Sequence, residues 1–231
     1  MRRSLLIRKS IRKPGKQEKK LKFTLGFADS RFQLSVIELL FATRNAYKTS
    51  EIQTILGPQF KVTDLAAYPE VPHIAETGKS FEENAILKAV AASKRMRGLV
   101  IADDSGLEVD VLGGEPGIYS ARYAGTNATD EQNVDKLLVK LARVGAANDP
   151  RRACFRCVLV LARDGNVIQT FEGVVEGKIA DRPRGSHGFG YDPVFMPEGL
   201  DQTFGELVPA DKNEISHRAR ALEQLRASLN R

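Results

Sequence analysis

The stretch LVIADDSGLEVDVLGGEPGIYSARYAG, residues 99–125, decides how this chain is read. Leu99 to Ala102 form a short apolar run with the composition of a buried strand. The run meets two adjacent carboxylates, Asp103 and Asp104, followed by Ser105-Gly106. Neighbouring negative charges repel, and burial makes the repulsion worse. A cation, a cradle of hydrogen-bond donors or solvent at a strand end must offset it. In open α/β sheets, ligands collect beyond the carboxyl ends of the strands. The pair is therefore expected at such an end, with Ser105-Gly106 turning the backbone away.

Outward from this point, helix and strand signals alternate on the N-terminal side. VIELLFA (36–42) reads as the first strand, closed by the turn and cap residues Thr43-Arg44-Asn45. Residues 46–56 carry Ile52, Ile55 and Leu56 at helical spacing and stop at Gly57-Pro58. FKVTDL alternates as a strand. Ser80, with Glu83 three residues on, predicts a capping box opening a helix over 81–96. On the C-terminal side, a helix is expected near 130–143, then a hairpin of ACFRCVLVLAR and VIQTFEGVVEG turning at Asp164-Gly165-Asn166. GFGYDPVF is a glycine-rich turn into a short strand, and a last helix spans about 215–229. The pattern is α/β with a mixed sheet.

Bulk properties narrow the class. A chain of 231 residues suits one α/β domain or two small lobes. Hydrophobic content of 42% and charged content of 28% are those of a soluble globule. No run approaches the roughly 18 apolar residues of a membrane span, so no membrane partner is expected. The net charge of +6 belongs to one end: residues 1–35 hold 11 Lys/Arg and 2 Asp/Glu, leaving 24 and 27 for the remainder. Residues 1–35 read as a solvated, disordered basic extension, and 36–231 as the folded domain. A targeting peptide, a contact for an anionic surface, and a translation start nearer Val36 are the other readings of that extension. The body has no basic excess to suggest nucleic-acid binding. Cys154 and Cys157 point to opposite faces of a strand, which suits neither a disulfide nor a shared metal. They read as core thiols of a reducing, cytoplasmic compartment.

Four segments carry chemistry. Asp103 and Asp104 could hold a divalent cation, and Mg²⁺ in particular takes one or two carboxylates plus substrate phosphates. Thr43-Arg44-Asn45-Ala46-Tyr47-Lys48 places a hydroxyl, an amide and an ammonium where a strand becomes a helix, which favours anions. In AETGKSFEENAILKA, Glu76 is a loop carboxylate able to reach a metal, and Asn84 and Lys88 share a helix face. In GSHGFGYDPVF and DKNEISHRARAL, glycines beside Phe189 and Tyr191 suit a flat ligand such as a nucleobase, with donors from Lys212, His217 and Arg218. Acids, cations, anion-binding turns and aromatics together suit Mg²⁺-assisted cleavage of a nucleoside polyphosphate.

The ordered set [ST]-x-N-x-x-K, ETG…F-x-ENA-x-x-KA, ADDSGL-x-VD-x-L-x-G-x-PG-x-YSARY, GFGYDP-x-F and SHR-x-x-AL resembles the inosine/xanthosine triphosphate pyrophosphatase family. The resemblance covers about residues 36–229. It implies an elongated, two-lobed mixed β-sheet flanked by helices, a homodimer, and an active site in the cleft between the lobes. The implied reaction is hydrolysis of ITP, dITP and XTP to monophosphate and pyrophosphate, keeping these bases out of DNA and RNA. Asp104 matches the general base and a metal ligand, and Glu76 the other proposed Mg²⁺ ligand. Thr43, Asn45 and Lys48 match the triphosphate-binding turn, in which Arg44, Ala46 and Tyr47 also lie; Arg44 and Tyr47 hold variable positions. Lys88 matches a phosphate contact and Ser105 a substrate contact. Phe189, Gly190, Tyr191 and Asp192 match the base-binding loop, with Lys212, His217 and Arg218 as further nucleotide contacts. Asp103 takes a supporting place in the metal site. The competing expectations are a house-cleaning pyrophosphatase for pyrimidine or modified nucleotides, and a non-catalytic nucleotide-binding module.

Overall fold

A six-stranded sheet in the order β2-β1-β3-β4-β5-β6 organises residues 36–144 and 151–230, which the computed structural model describes. The expectations for residues 1–35 lie outside the described residues. β1 (Ile37–Phe41) pairs in parallel with β2 (Phe60–Asp64) and with the start of β3 (Leu99–Val109). β3, β4 (Arg152–Arg163), β5 (Asn166–Ile179) and β6 (Phe195–Pro197) then pair antiparallel, each with the next. The expected α/β mixed sheet is what forms.

Three apolar clusters hold helices to this sheet. On one face Ile52 and Leu56 of α1 (Ala46–Leu56) and Leu222 and Leu225 of α5 (His217–Leu229) meet Leu39, Phe41, Ile101 and Leu159. On the other, Ala85, Ala89 and Ala92 of α2 (Phe81–Ser93) meet Leu40, Val100 and Val160; the alanines let this helix lie close to the strands. At the far end of the long strands, Val134, Leu137 and Leu141 of α3 (Asp130–Arg143) pack with Leu107, Val109, Phe155, Val175 and Phe195. The first two clusters thus cover the two faces of the sheet, and the third packs at the far end of its long strands.

The carboxylate pair does not end a strand. β1 contacts only Leu99–Ile101 of β3, then stops, whereas β3 continues against β4 as far as Val109, with Asp103 opposite Leu159 and Asp104 opposite Val158. It is β1 whose carboxyl end opens the site. Pleating sends Asp103 to the α1/α5 face with Ile101, and Asp104 to the α2 face with Ala102. Backbone pairing with β4 lets the strand run through its own charges, which no local signal reveals.

Other elements follow their local chemistry with small differences. α3 has the expected bounds and a complete capping box between Thr129 and Gln132. Ser80 accepts the Glu83 N–H at 3.1 Å, but the Glu83 carboxylate accepts from Lys79 N–H at 2.6 Å, so that box stays half closed. α2 ends at Ser93, short of the expected Met96. The hairpin turns on Asp164 and Gly165, both with positive φ (51° and 78°), the two-residue geometry that matches strand twist. The last helix forms as α5, near the expected bounds. A separate short helix, α4 (Pro209–Ile215), precedes it and stops before Ser216, which takes an extended conformation and caps α5 by accepting Ala219 N–H at 3.1 Å. Cys154 and Cys157 are buried, free thiols. Among the described residues, no helix is long and apolar enough to cross a membrane.

Candidate active site

Where β1 ends and β3 continues, a cavity of about 300 Å³ opens, lined by Thr43, Lys48, Glu76, Lys88, Asp104 and Ser105 together with Phe189, Asp192, Lys212, His217 and Arg218. It joins the chemistry-bearing segments in one space.

Asp103 is bound on the α1/α5 face. Lys48 Nζ donates to both its oxygens at 3.0 and 3.1 Å, Arg218 Nη2 to Oδ2 at 3.2 Å, and Ser105 Oγ to Oδ2 at 3.2 Å. Burial works to raise its pKa, but Lys48, Arg218 and Lys88 outweigh burial and hold it well below the usual carboxylate range. The guanidinium of Arg218 is itself buried, shared between Asp103 and Glu51. Its pKa rises: burial opposes the charge, but Asp103 and Glu51 more than restore it.

Asp104 meets a different environment one residue later. Asn84 Nδ2 donates to its Oδ2 at 2.9 Å, while Lys88 Nζ stands 3.7 Å from Oδ1. Asn84 is oriented in turn by accepting Gly78 N–H at 2.8 Å. Burial, reinforced by the negative charge of Glu76, keeps the Asp104 pKa raised despite Lys88 and Lys48. Glu76 is lowered instead: burial works against it, but Lys88 at 2.6 Å and Arg122 at 3.2 Å hold it ionised. Two neighbouring carboxylates thus have pKa values driven apart, the arrangement that separates a fixed anion from a proton-accepting group.

The far wall is built by the loop before β6. Gly188, at φ +77°, has no room for a side chain, because a Cβ there would lie 1.9 Å from Asp192 Oδ2. That carboxylate accepts Phe189 N–H at 2.9 Å and Lys212 Nζ at 2.6 Å, and Gly190 N–H donates to Asp130 at 2.7 Å. Tyr191 points inward, its hydroxyl donating to Ser120 O at 3.0 Å. His217 stacks on Phe155, centroids 4.7 Å apart and planes 10° apart. Burial and then the charges of Arg218 and Lys212 push its pKa well below the ordinary histidine value, so the ring is neutral. His217 Nδ1 and Arg218 Nε are buried without a hydrogen-bond partner among the described residues. Buried polar atoms left unpaired on a cavity wall are sites for a ligand's polar atoms.

The Ham1 family profile matches residues 39–228. The chain belongs to the Ham1 family. It is 49% identical over 194 residues to the dITP/XTP pyrophosphatase of Bacillus licheniformis, covering 84% of this chain and 98% of that protein. Against the dITP/XTP pyrophosphatase of Bacillus subtilis it is 49% identical over 189 residues, covering 81% and 94%. Among solved structures, the Staphylococcus aureus Ham1 protein superimposes with a TM-score of 0.72 at 45% identity, covering 84% of this chain and 98% of that one. A HAM1 protein from Coxiella burnetii gives a TM-score of 0.75 at 42% identity, covering 84% and 98%.

In this Ham1 chain the cavity gathers Thr43, Arg44, Asn45, Lys48, Glu76, Lys88, Asp104, Ser105, Phe189, Gly190, Tyr191, Asp192, Lys212, His217 and Arg218. Ala46 and Tyr47 are exposed and outside its lining. Arg44 is engaged elsewhere, its guanidinium donating to the carbonyls of Val71 and Tyr68. Asn45 acts as the α1 cap, accepting Lys48 N–H at 3.2 Å. Asp103 lies outside the lining of the cavity, its carboxylate bound by Lys48 and Arg218. Glu51 escaped the sequence reading: it accepts from Lys212 at 2.7 Å and also from Arg218. Its one available signal is its place one turn beyond Lys48 on the same helix. Arg122 escaped too, since nothing local ties it to Glu76.

Proposed function

We propose that this protein hydrolyses deaminated purine nucleoside triphosphates, dITP, ITP and XTP, to the monophosphate and pyrophosphate. One observation carries the reading. A single cavity is lined by a carboxylate of raised pKa beside cations and by two residues with unpaired buried nitrogens next to an aromatic ring. The relatives named dITP/XTP pyrophosphatase, at 49% identity, support it.

In this mechanism Lys48, Lys88 and the N–H groups at the start of α1 attract the triphosphate. Asp104, oriented by Asn84, holds a water in line with the α-phosphorus and accepts its proton. Lys88 then moves charge compensation onto the departing pyrophosphate. Positioning and electrostatics supply most of the acceleration. Glu76 and Asp104 close on one ammonium, Lys88 Nζ, at 2.6 and 3.7 Å, so two hard oxygen donors already surround a cation. That donor set fits Mg²⁺ completed by substrate phosphates. Among the described residues no three His, Cys, Asp or Glu side chains form a metal cage. Bound there, Mg²⁺ supplies neutralisation of phosphate charge and a more acidic water.

Selectivity comes from Arg218 and His217. Arg218 Nε–H and an Nδ1–H tautomer of neutral His217 are donors suited to a 6-keto oxygen. A 6-amino group leaves them unpaired, which costs several powers of ten. We place residues 36–231 as the catalytic body, acting as a homodimer in the cytoplasm. Two reduced core thiols support that compartment. Deleting residues 1–35 then leaves turnover unchanged. The deciding experiment is pyrophosphate release from dITP, ITP, XTP, GTP, ATP, dTTP and UTP, with Mg²⁺ and with chelator. Release from the first three, dependent on Mg²⁺, is expected; none from ITP or XTP rejects the reading.

A further inference from the structure

Tyr47 holds a variable position of the first motif, is 69% exposed and does not line the cavity. Its ring nevertheless stacks on Phe189, centroids 6.0 Å apart and planes inclined by 24°. The rings come from two separate elements: Tyr47 from the first turn of α1, Phe189 from the loop before β6. Their supports differ. Tyr47 rides on a capped turn, adjacent to the Lys48 N–H that Asn45 accepts at 3.2 Å. Phe189 sits between Gly188 and Gly190, with φ +77° and +61°, conformations that hold a loop by its few hydrogen bonds and little else. The Phe189 ring also stands 5.0 Å from Lys212 Nζ and 5.8 Å from Arg218 Cζ, beside the groups that face the base. Tyr47, at this exposure, gains little from burial of its own, and the stack adds an aromatic contact to the half-buried Phe189 ring.

We propose that Tyr47 is a positioning residue for the nucleobase: from the triphosphate-binding turn it holds the Phe189 ring over the base recess and so couples the first turn of α1 to the loop before β6. This rests on the nucleotide-hydrolase reading above. Without Tyr47, the glycine-flanked Phe189 must be ordered at each binding event, a cost that falls on substrate affinity. Stacking reads the face of a base and not its edge, so every base is affected alike.

The experiment compares wild type with Tyr47→Ala, Tyr47→Leu and Tyr47→Phe in steady-state hydrolysis of dITP and XTP. Inorganic tripolyphosphate serves as a competing ligand without a base. Tyr47→Ala and Tyr47→Leu are expected to raise KM about two- to tenfold, the range of one aromatic pair. The loss falls on KM and not kcat, equally for dITP and XTP. Tyr47→Phe restores the KM, and the tripolyphosphate inhibition constant stays at its wild-type value in all three variants. An unchanged or lowered KM in Tyr47→Ala overturns the inference. So does a parallel weakening of tripolyphosphate, which would assign Tyr47 to the phosphates. A wild-type enzyme that releases no pyrophosphate overturns the nucleotide-hydrolase reading, and this inference with it.

Discussion

Asp103 and Asp104 are one peptide bond apart, yet the two faces of β3 treat them as different chemical groups. On the α1/α5 face, Asp103 receives Lys48, Arg218 and Ser105, and its negative charge is locked in. On the α2 face, Asp104 receives one amide at 2.9 Å and an ammonium no nearer than 3.7 Å, and its charge is held at a disadvantage. Strand pleating alone creates the contrast, because it points the neighbours into separately built layers. One face holds the molecule together; the other keeps a reactive group available. A site of this kind needs both, since a carboxylate with raised pKa is tolerated only on a rigid frame.

The comparison can be broken in order of effect. Asp104→Asn is expected to lower pyrophosphate release by about 10²- to 10⁴-fold, the contribution of a positioned general base. Its denaturation midpoint should hold, because the lost charge was disfavoured where it stood. Asp103→Asn should do the reverse work on the frame. It leaves Arg218 and Lys48 facing a neutral group, and removing one partner of a buried ion pair costs about 3–5 kcal/mol, read by urea unfolding. If the two substitutions destabilise equally, the division between the faces is wrong.

A subtler contrast lies in protonation. His217 is neutral in the folded protein, whereas an unfolded chain protonates histidine near pH of about 6.5. The folded pKa is therefore the lower one, and the unfolded state binds more protons in acid. The His217 contribution is fully present above that unfolded value and is lost as pH falls toward the folded pKa. The slope approaches about 1.4 kcal/mol per pH unit. Unfolding free energies between neutral and mildly acidic pH should show this limb, and His217→Gln should flatten it. The smallest effect belongs to Lys61 and Glu38, paired at 2.9 Å between the adjacent strands β2 and β1 with both side chains exposed. Lys61→Ala should move neither the melting temperature nor turnover, which calibrates the buried pairs against a solvated one.

Much of this molecule is legible in local sequence. Helix α3 forms where the sequence places a helix near 130–143, and the β4–β5 hairpin declares itself by an Asp-Gly turn between strand-forming runs. The residue types of the site are equally plain: adjacent acids, a capped lysine turn, an aromatic between glycines. These signals span a few residues and reflect backbone preference and side-chain chemistry, so the chain carries them wherever it lies. Partnership is another matter. Lys48 reaches Asp103 across 55 positions, and Arg218 reaches Glu51 across 167. The continuation of β3 beyond its acids depends on where β1 stops, and the roles of Glu51 and Tyr47 depend on what packs opposite α1. The amino-acid order alone determined the elements, the family and the inventory of reactive groups. Only the tertiary structure decided which carboxylate is fixed and which is free. Charge and burial act through space, and folding brings to each face of a strand neighbours that adjacency in the chain does not specify.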